Sequence, residues 1–379
     1  MIKNTPPMGW NSWNTFGHEI SDQLIRDTAD KLVETGLAAC GYEYVVIDDC
    51  WALRERDENG RMVPDPAKFP HGIRALADYV HSKGLKFGIY SCAGNLTCAG
   101  FPGSYEHEFT DAATFAEWGV DFLKYDYCYH SDIVHGKYRY RRMGLALKNC
   151  GRDILFSACS WGSDGTPEWI RETGANMWRS TGDVFDTWES VKDIIHKQEA
   201  MLPYGGIGSF NDMDMMVVGM RGRGNVGMDG LSDTQYRTHF AVWALFGSPL
   251  FIGCDVREMD DFTLSLLKNK PLIDINQDAD CRQVITVTSS WDLENNPVHC
   301  YARMLENGDI AVGFFNFIDR GLNAWLSLDK LGLPGGTGKT LEMHDVFTGE
   351  VITVTNGTFR RPIQAYDSLV YRCRVVDKA

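Results

Sequence analysis

Trp118-Gly-Val-Asp-Phe-Leu-Lys124-Tyr125-Asp126-Tyr127-Cys128 is the stretch on which the reading of the chain turns. Val120, Phe122 and Leu123 supply the apolar bulk of a buried strand. The run then delivers Lys-x-Asp at its carboxyl end. A carboxylate held two residues from a cation is expected to stay ionised at neutral pH. A rigid, ionised Asp suits covalent catalysis of sugar transfer. A solvated surface ion pair after a strand has the same local pattern, so the neighbouring stretches must decide.

Those neighbours repeat the pattern. Tyr44 to Ile47 ends in Asp48-Asp49-Cys50-Trp51, and Leu85 to Tyr90 ends in Ser91-Cys92-Ala93-Gly94. Ile154 to Ser157 ends in Ala158-Cys159-Ser160-Trp161, and Met177-Trp178-Arg179 in Ser180-Thr181-Gly182-Asp183. A run over Ile207 to Phe210 leads to Asn211-Asp212-Met213-Asp214, and Pro249 to Ile252 to Gly253-Cys254-Asp255. Helical patterns lie between them: Ser21 to Gly36, Ile73 to Lys83, Ala112 to Trp118, Tyr138 to Asn149, Trp188 to Gln198 and Thr234 to Phe246. Ser21 is a capping residue and Gly36 a stop.

Strands alternating with helices mean a parallel sheet. With Met8-Gly9-Trp10 as the first strand, eight β/α units end near residue 280, the count of a (β/α)8 TIM barrel. Polar residues gather at the strands' carboxyl ends, which in a barrel share one face. A doubly wound sheet is the alternative, but no Gly-rich phosphate loop follows Trp10. Beyond Ala279 to Gln283 the segments become short and often alternating: Val284–Val287, His299–Met304, Ile310–Phe317, Ala324–Leu326, Leu341–Val346, Val351–Val354 and Ser368–Arg374. Turns separate them, and no helix of useful length is apparent. The expected organisation is a catalytic barrel over 1–280 and an antiparallel β-sandwich over 281–379.

Bulk properties limit the function. The 379 residues are too many for one small core, and 44% apolar with 23% charged residues is the composition of a globular protein. A net charge of −14 argues against nucleic acid and anionic membranes as partners. No stretch approaches a membrane span of roughly 18 apolar residues. The first residues carry no leader-like apolar run. The 11 cysteines are odd in number and scattered, without metal-site spacing. Together these predict a mostly reduced, cytoplasmic chain; a leader removed beforehand would leave the same sequence. No metal or organic cofactor is expected.

Glycoside cleavage needs two carboxylates about an anomeric carbon, polar groups for the ring hydroxyls and an aromatic face. Asp126 and Asp183 supply the pair, Asp48 and Asp49 the hydroxyl acceptors, and Trp13 and Trp51 the aromatic surface.

Six ordered motifs resemble glycoside hydrolase family 27, the α-galactosidase and α-N-acetylgalactosaminidase family. They are Met8-Gly-Trp-Asn-Ser-Trp13, Ile47-Asp-Asp-Cys-Trp51, Cys98-Ala-Gly-Phe-Pro-Gly-Ser104, Leu123-Lys-Tyr-Asp-Tyr-Cys128, Trp178-Arg-Ser-Thr-Gly-Asp183 and Asn211-Asp-Met-Asp-Met215. The resemblance implies a retaining hydrolase of terminal α-linked galactose, with Asp126 as nucleophile and Asp183 as acid/base. Asp183 is then expected to have its pKa raised. It implies that Asp48 and Asp49 accept from the 6- and 4-hydroxyls, that Lys124 holds the 3- and 4-hydroxyls, and that Arg179 reaches the 2-hydroxyl and Asp183. Trp13 and Met215 would line the apolar side and Tyr90 stand near the nucleophile, with Asp214 and Trp161 also at the substrate. Cys98 and Cys128 match the family's cysteine pair beside the nucleophile. The family's partners of Cys50 and Cys159 are replaced, at or near Phe16 and at Ala175.

Cys159-Ser160-Trp161-Gly162 stands where the family reads the sugar's C2 substituent. Its C-x-W-G form resembles galactose-specific members. The small Ser160 and Ser163 resemble members that admit an acetamido group. The acid at Asp49 leaves room for a C6 hydroxymethyl, which disfavours a β-L-arabinopyranosidase. Two readings from other classes stand beside this one: a carbohydrate-binding protein without chemistry, and a metal-dependent isomerase using Asp48, Asp49 and Asp212. Family members occur as monomers, dimers and tetramers, so a homo-oligomer is open.

Overall fold

The computed structural model describes residues 2–378. Eight short parallel strands come first: β1 Met8–Asn11, β2 Tyr44–Val46, β3 Lys86–Cys92, β4 Phe122–Asp126, β5 Leu155–Ala158, β6 Met177–Arg179, β7 Phe210–Asp212 and β8 Leu250–Ile252. Their order in the sheet is β7-β6-β5-β4-β3-β2-β1-β8. The ring is completed just past β7, where Met216 bridges Ile252 in parallel. Here the Met216 amide donates to the Phe251 carbonyl at 2.7 Å, and the Gly253 amide to the Met216 carbonyl at 3.0 Å.

The strands are apolar because both faces are covered, by barrel interior on one side and helices on the other. Tyr44, Val45 and Val46 are all buried. The expected helices form over Asp22–Glu34, Gly72–Ser82, Glu108–Glu117, Gly136–Lys148, Trp188–Gln198 and Asp233–Phe246. Ser21 caps the first, its hydroxyl accepting from the Leu24 amide at 3.2 Å. No helix of the described residues is long and apolar enough to cross a membrane.

Two sequence expectations need correction. Ile207 is not in a strand. Gly206 and Gly208, at φ 144° and 73°, hold it in a turn where it is 49% exposed. Strand β7 therefore starts at Phe210 and carries Asn211 and Asp212 within it. The second concerns the terminal region, where β15 (Thr358–Ile363) is an added strand. Pro362 and the Arg360-Arg361 pair mask its pattern. Among the described residues it pairs only with β12 (Leu322–Ser327), in a two-stranded sheet where a proline is tolerated. A short helix, Ser290–Asn295, also forms behind a capping box of Ser289 and Asp292.

The second sheet runs β14-β13-β16-β11-β10-β9. These are β9 Ile285–Thr286, β10 Val298–Met304, β11 Ile310–Asn316, β13 Lys339–Asp345, β14 Val351–Thr353 and β16 Ser368–Asp377. Strand β11 joins the two parts of the molecule. Its alternate residues Val312 and Phe314 enter the sandwich core, while Ala311 and Phe315 join the barrel core. Between them Gly313 admits Leu245 of the helix Asp233–Phe246; a Cβ there would lie 2.7 Å from its methyl. Trp188 Nε1 donates to the Phe317 carbonyl at 3.2 Å and Tyr301 to Glu199 at 2.6 Å, tying the same faces together.

Candidate active site

The carboxyl ends of the barrel strands surround a cleft. Trp13, Asp48, Asp49, Tyr90, Lys124, Asp126, Trp161, Arg179, Asp183, Asp214 and Met215 all line it, as do Asn14, Cys98, Val184 and Val226. A larger groove near the amino ends of β5 and β6 contains none of the residues singled out from the sequence.

Strand register explains the central group. Tyr90 of β3 lies beside Lys124 of β4, and Cys92 beside Asp126. Asp126 is 6% exposed. Its Oδ1 accepts from the Tyr127 amide at 2.9 Å and its Oδ2 from the Tyr90 hydroxyl at 3.1 Å. Burial pushes its pKa up to about 6, against the pull of Lys124 and the Tyr127 amide. The Lys124 ammonium bonds Asp48 Oδ2 at 2.8 Å rather than Asp126. It therefore acts on Asp126 through space and offsets only part of the desolvation. Asp126 is still mostly ionised at pH 7, but by a narrower margin than Lys-x-Asp spacing suggests.

The adjacent acids Asp48 and Asp49 do not repel unchecked. Asp48 Oδ2 also accepts from Asn11 Nδ2 at 2.7 Å, and Oδ1 from the Asp49 amide at 2.9 Å. Asp49 Oδ1 takes the Cys50 amide at 2.7 Å and Oδ2 the Ala99 amide at 2.9 Å. The Ala99 amide follows Cys98, which forms a disulfide with Cys128 at Cα separation 5.1 Å. The bridge thus seats the loop that holds Asp49 against the end of β4. Gly94 is required in the same place, because a Cβ there would overlap the Cys128 carbonyl oxygen. Cys50 and Cys159 are free and buried.

On the other side stands Arg179. Its Nη2 reaches Asp183 Oδ1 at 3.0 Å and its Nη1 reaches Asp214 Oδ1 at 2.9 Å. The sequence expectation for Asp183 is inverted. Burial would raise its pKa, but the Arg179 guanidinium, Lys124 and the Arg179 hydrogen bond hold it below the ordinary carboxylate value. The cause is local: an arginine four residues earlier ion-pairs a side chain still 59% exposed. Deeper in the barrel, burial pushes Asp212 up to about 7 despite Arg179.

Three expected residues do not reach the cleft. Ser160 is fully buried and its hydroxyl pairs with Thr166 Oγ1 at 2.6 Å. Cys159 lies under Arg179, its sulfur 3.7 Å from Nη1. Trp51 is 3% exposed, packs edge-on against Trp118 at 5.8 Å and donates to the Tyr90 carbonyl at 2.9 Å. It is core and supports the strand end that carries Tyr90. Asp48, Asp49 and Asp212 do not converge to within ligand reach of one ion among the described residues. Of the lining residues not foreseen, Asn14 directly follows a flagged motif. Val184 follows Asp183, and Val226 comes from a long loop without any sequence signal.

Nearly all of the chain matches known proteins. The profile described as alpha galactosidase A matches residues 5–278, and that of the alpha galactosidase C-terminal beta sandwich domain matches 295–373. The chain is 44% identical over 371 residues to an alpha-galactosidase of Cyamopsis tetragonoloba, covering 98% of this chain and 86% of that one. It is 38% identical over 377 residues to an alpha-N-acetylgalactosaminidase of Gallus gallus, covering 93% and 88%. The crystal structure of alpha-galactosidase I from Mortierella vinacea superposes with TM-score 0.91 at 33% identity, covering 99% of this chain and 98% of that chain. On its motifs, its two-part fold and these matches, the chain belongs to glycoside hydrolase family 27, the α-galactosidase family, and is a glycoside hydrolase.

Proposed function

We propose that the protein removes terminal α-linked galactose from oligosaccharides or glycoconjugates by double displacement with retention. The observation that carries this reading is the shared cleft of Asp126 and Asp183, ringed by Asp48, Asp49, Lys124 and Arg179. Asp126 attacks the anomeric carbon and Asp183 protonates the departing oxygen. Asp183 then accepts a proton from the water that releases the sugar. The ionic ring takes the hydroxyls, while Trp13 and Met215 supply the apolar wall.

Galactose is favoured over its 2-acetamido analogue by the loop after β5. Of the two small residues that would make room, Ser160 faces Thr166 and Ser163 does not line the cleft. Trp161 takes the cleft side, held in left-handed backbone at φ 57°. Hydrolysis of p-nitrophenyl α-galactoside and its 2-acetamido analogue tests this. A kcat/KM at least ~10-fold higher for the galactoside is expected, since one ill-fitting group in a pocket is worth roughly 10–200-fold. A preference for the acetamido sugar would overturn it.

The pH profile follows from both carboxyls. The reactive form has Asp126 ionised and Asp183 protonated. With Asp126 raised to about 6 and Asp183 held below the ordinary carboxylate value in the free enzyme, kcat/KM should fall about tenfold per pH unit above about 6. A limb centred near 4 would mean that Lys124, not burial, dominates at the nucleophile.

A further inference from the structure

Asp183 stands on an open segment, Ser180 to Thr187, and general acid catalysis is sensitive to small displacements. Asp214 holds this segment once directly and once through Arg179 at the end of β6. Its Oδ1 ion-pairs Arg179 Nη1 at 2.9 Å, the same guanidinium that holds Asp183 through Nη2 at 3.0 Å. Its Oδ2 accepts the amide of Val184, the residue after Asp183, at 2.7 Å. Asp214 itself lies in left-handed backbone at φ 79°, a region that Asp enters more readily than most non-glycine residues. Asp212 Oδ1 takes its amide at 2.9 Å and Trp243 Nε1 donates to its carbonyl at 2.7 Å.

We propose that Asp214 is the positioning residue of the acid/base, dividing the Arg179 fork between two carboxylates and clamping the backbone at Asp183, and that it does not act as a ligand of the sugar. The inference rests on the hydrolase reading above. Asp186 anchors the same segment further along, accepting the Gly222 amide at 2.7 Å and the Tyr236 hydroxyl at 2.9 Å. What Asp186 does not supply is negative charge bonded to Arg179.

The charged and titratable groups facing Asp183 are Arg179 of β6, Lys124 and Asp126 of β4, Cys159 after β5 and Asp214 after β7. Asp214→Asn keeps the shape and removes one negative charge. Arg179 is then left to Asp183 alone and holds it more firmly as carboxylate. The limb of kcat/KM set by Asp183, which lies on the acid side of that set by Asp126, should therefore move to lower pH.

The test compares leaving groups in Asp214→Asn. With methyl α-galactoside, whose departure needs a proton, kcat/KM should fall about 10²-fold, the usual cost of a slightly misplaced catalytic group. With dinitrophenyl α-galactoside, which leaves unaided, it should stay within roughly threefold and KM should be unchanged. Asp214→Glu, a milder change that keeps the charge, should retain the wild-type position of the Asp183 limb while losing part of the methyl galactoside rate. It carries the test if the Asn variant does not fold. Equal losses on both substrates, or a raised KM at unchanged kcat, would overturn the clamp. A wild type that cleaves neither substrate would overturn the hydrolase reading itself, and the clamp with it.

Discussion

Asp126→Asn is expected to abolish turnover of an aryl α-galactoside, a loss on the order of 10⁴–10⁶-fold, and at the same time to stabilise the protein at pH 7. The first effect follows from chemistry, because an amide does not form the glycosyl ester. The second follows from burial. The folded protein raises this carboxyl from 3.8 to about 6, so the folded state holds its proton more tightly than the unfolded chain. Stability then declines as pH rises from about 4 to about 6, and the full penalty is present above that. A shift of about two units corresponds to roughly 3 kcal/mol. Asn removes the charge and keeps an acceptor for the Tyr127 amide and a partner for the Tyr90 hydroxyl. Thermal unfolding of the variant and the wild type should differ at pH 7 and converge towards pH 4. Rapid turnover by the variant would remove the nucleophile assignment. An unchanged or lower Tm at pH 7 would show that Lys124, deprived of Asp126, costs more than the buried carboxylate did.

Asp183→Ala should lose on the order of 10²–10⁴-fold in kcat/KM on alkyl galactosides and far less on dinitrophenyl galactoside. The resting state of Asp183 makes this a sharp test, since its ion pair with Arg179 favours the carboxylate whereas the first step needs the acid. On the proposed reading, a sugar in the cleft would remove water from the half-exposed side chain and draw Arg179 toward the 2-hydroxyl, and both changes would raise its proton affinity. The acid would then be made by binding rather than stored in the empty site. Equal losses with both leaving groups would assign Asp183 to structure or ground-state binding.

The barrel was legible because buried parallel strands must be apolar and must end where the chain becomes polar. Tyr44 to Val46 and Phe122 to Asp126 show this without ambiguity. Edges were harder to read. Thr358–Ile363 escaped because a strand paired on one side tolerates Pro362 and a double arginine. Within the site, residues attached to strand ends were readable, since chain direction alone brings Asp48, Asp126 and Asp183 to one face. Side-chain direction was not. Ser160 and Trp161 are neighbours, yet one turns to Thr166 and the other to the cleft. The pKa order also escaped, because sequence shows that Lys124 is near Asp126 but not that Asp48 takes its hydrogen bond. The role of Asp214 is hidden for the same reason: its two oxygens meet Arg179 and Val184 only after the barrel closes.

The central claim is that Asp126 becomes covalently glycosylated. Brief reaction with an activated, fluorinated α-galactosyl donor that slows release, followed by peptide mass mapping, tests it most directly. The account predicts one galactosyl adduct, on the peptide carrying Asp126. An adduct on Asp183, or inactivation without any carboxyl adduct, would contradict it.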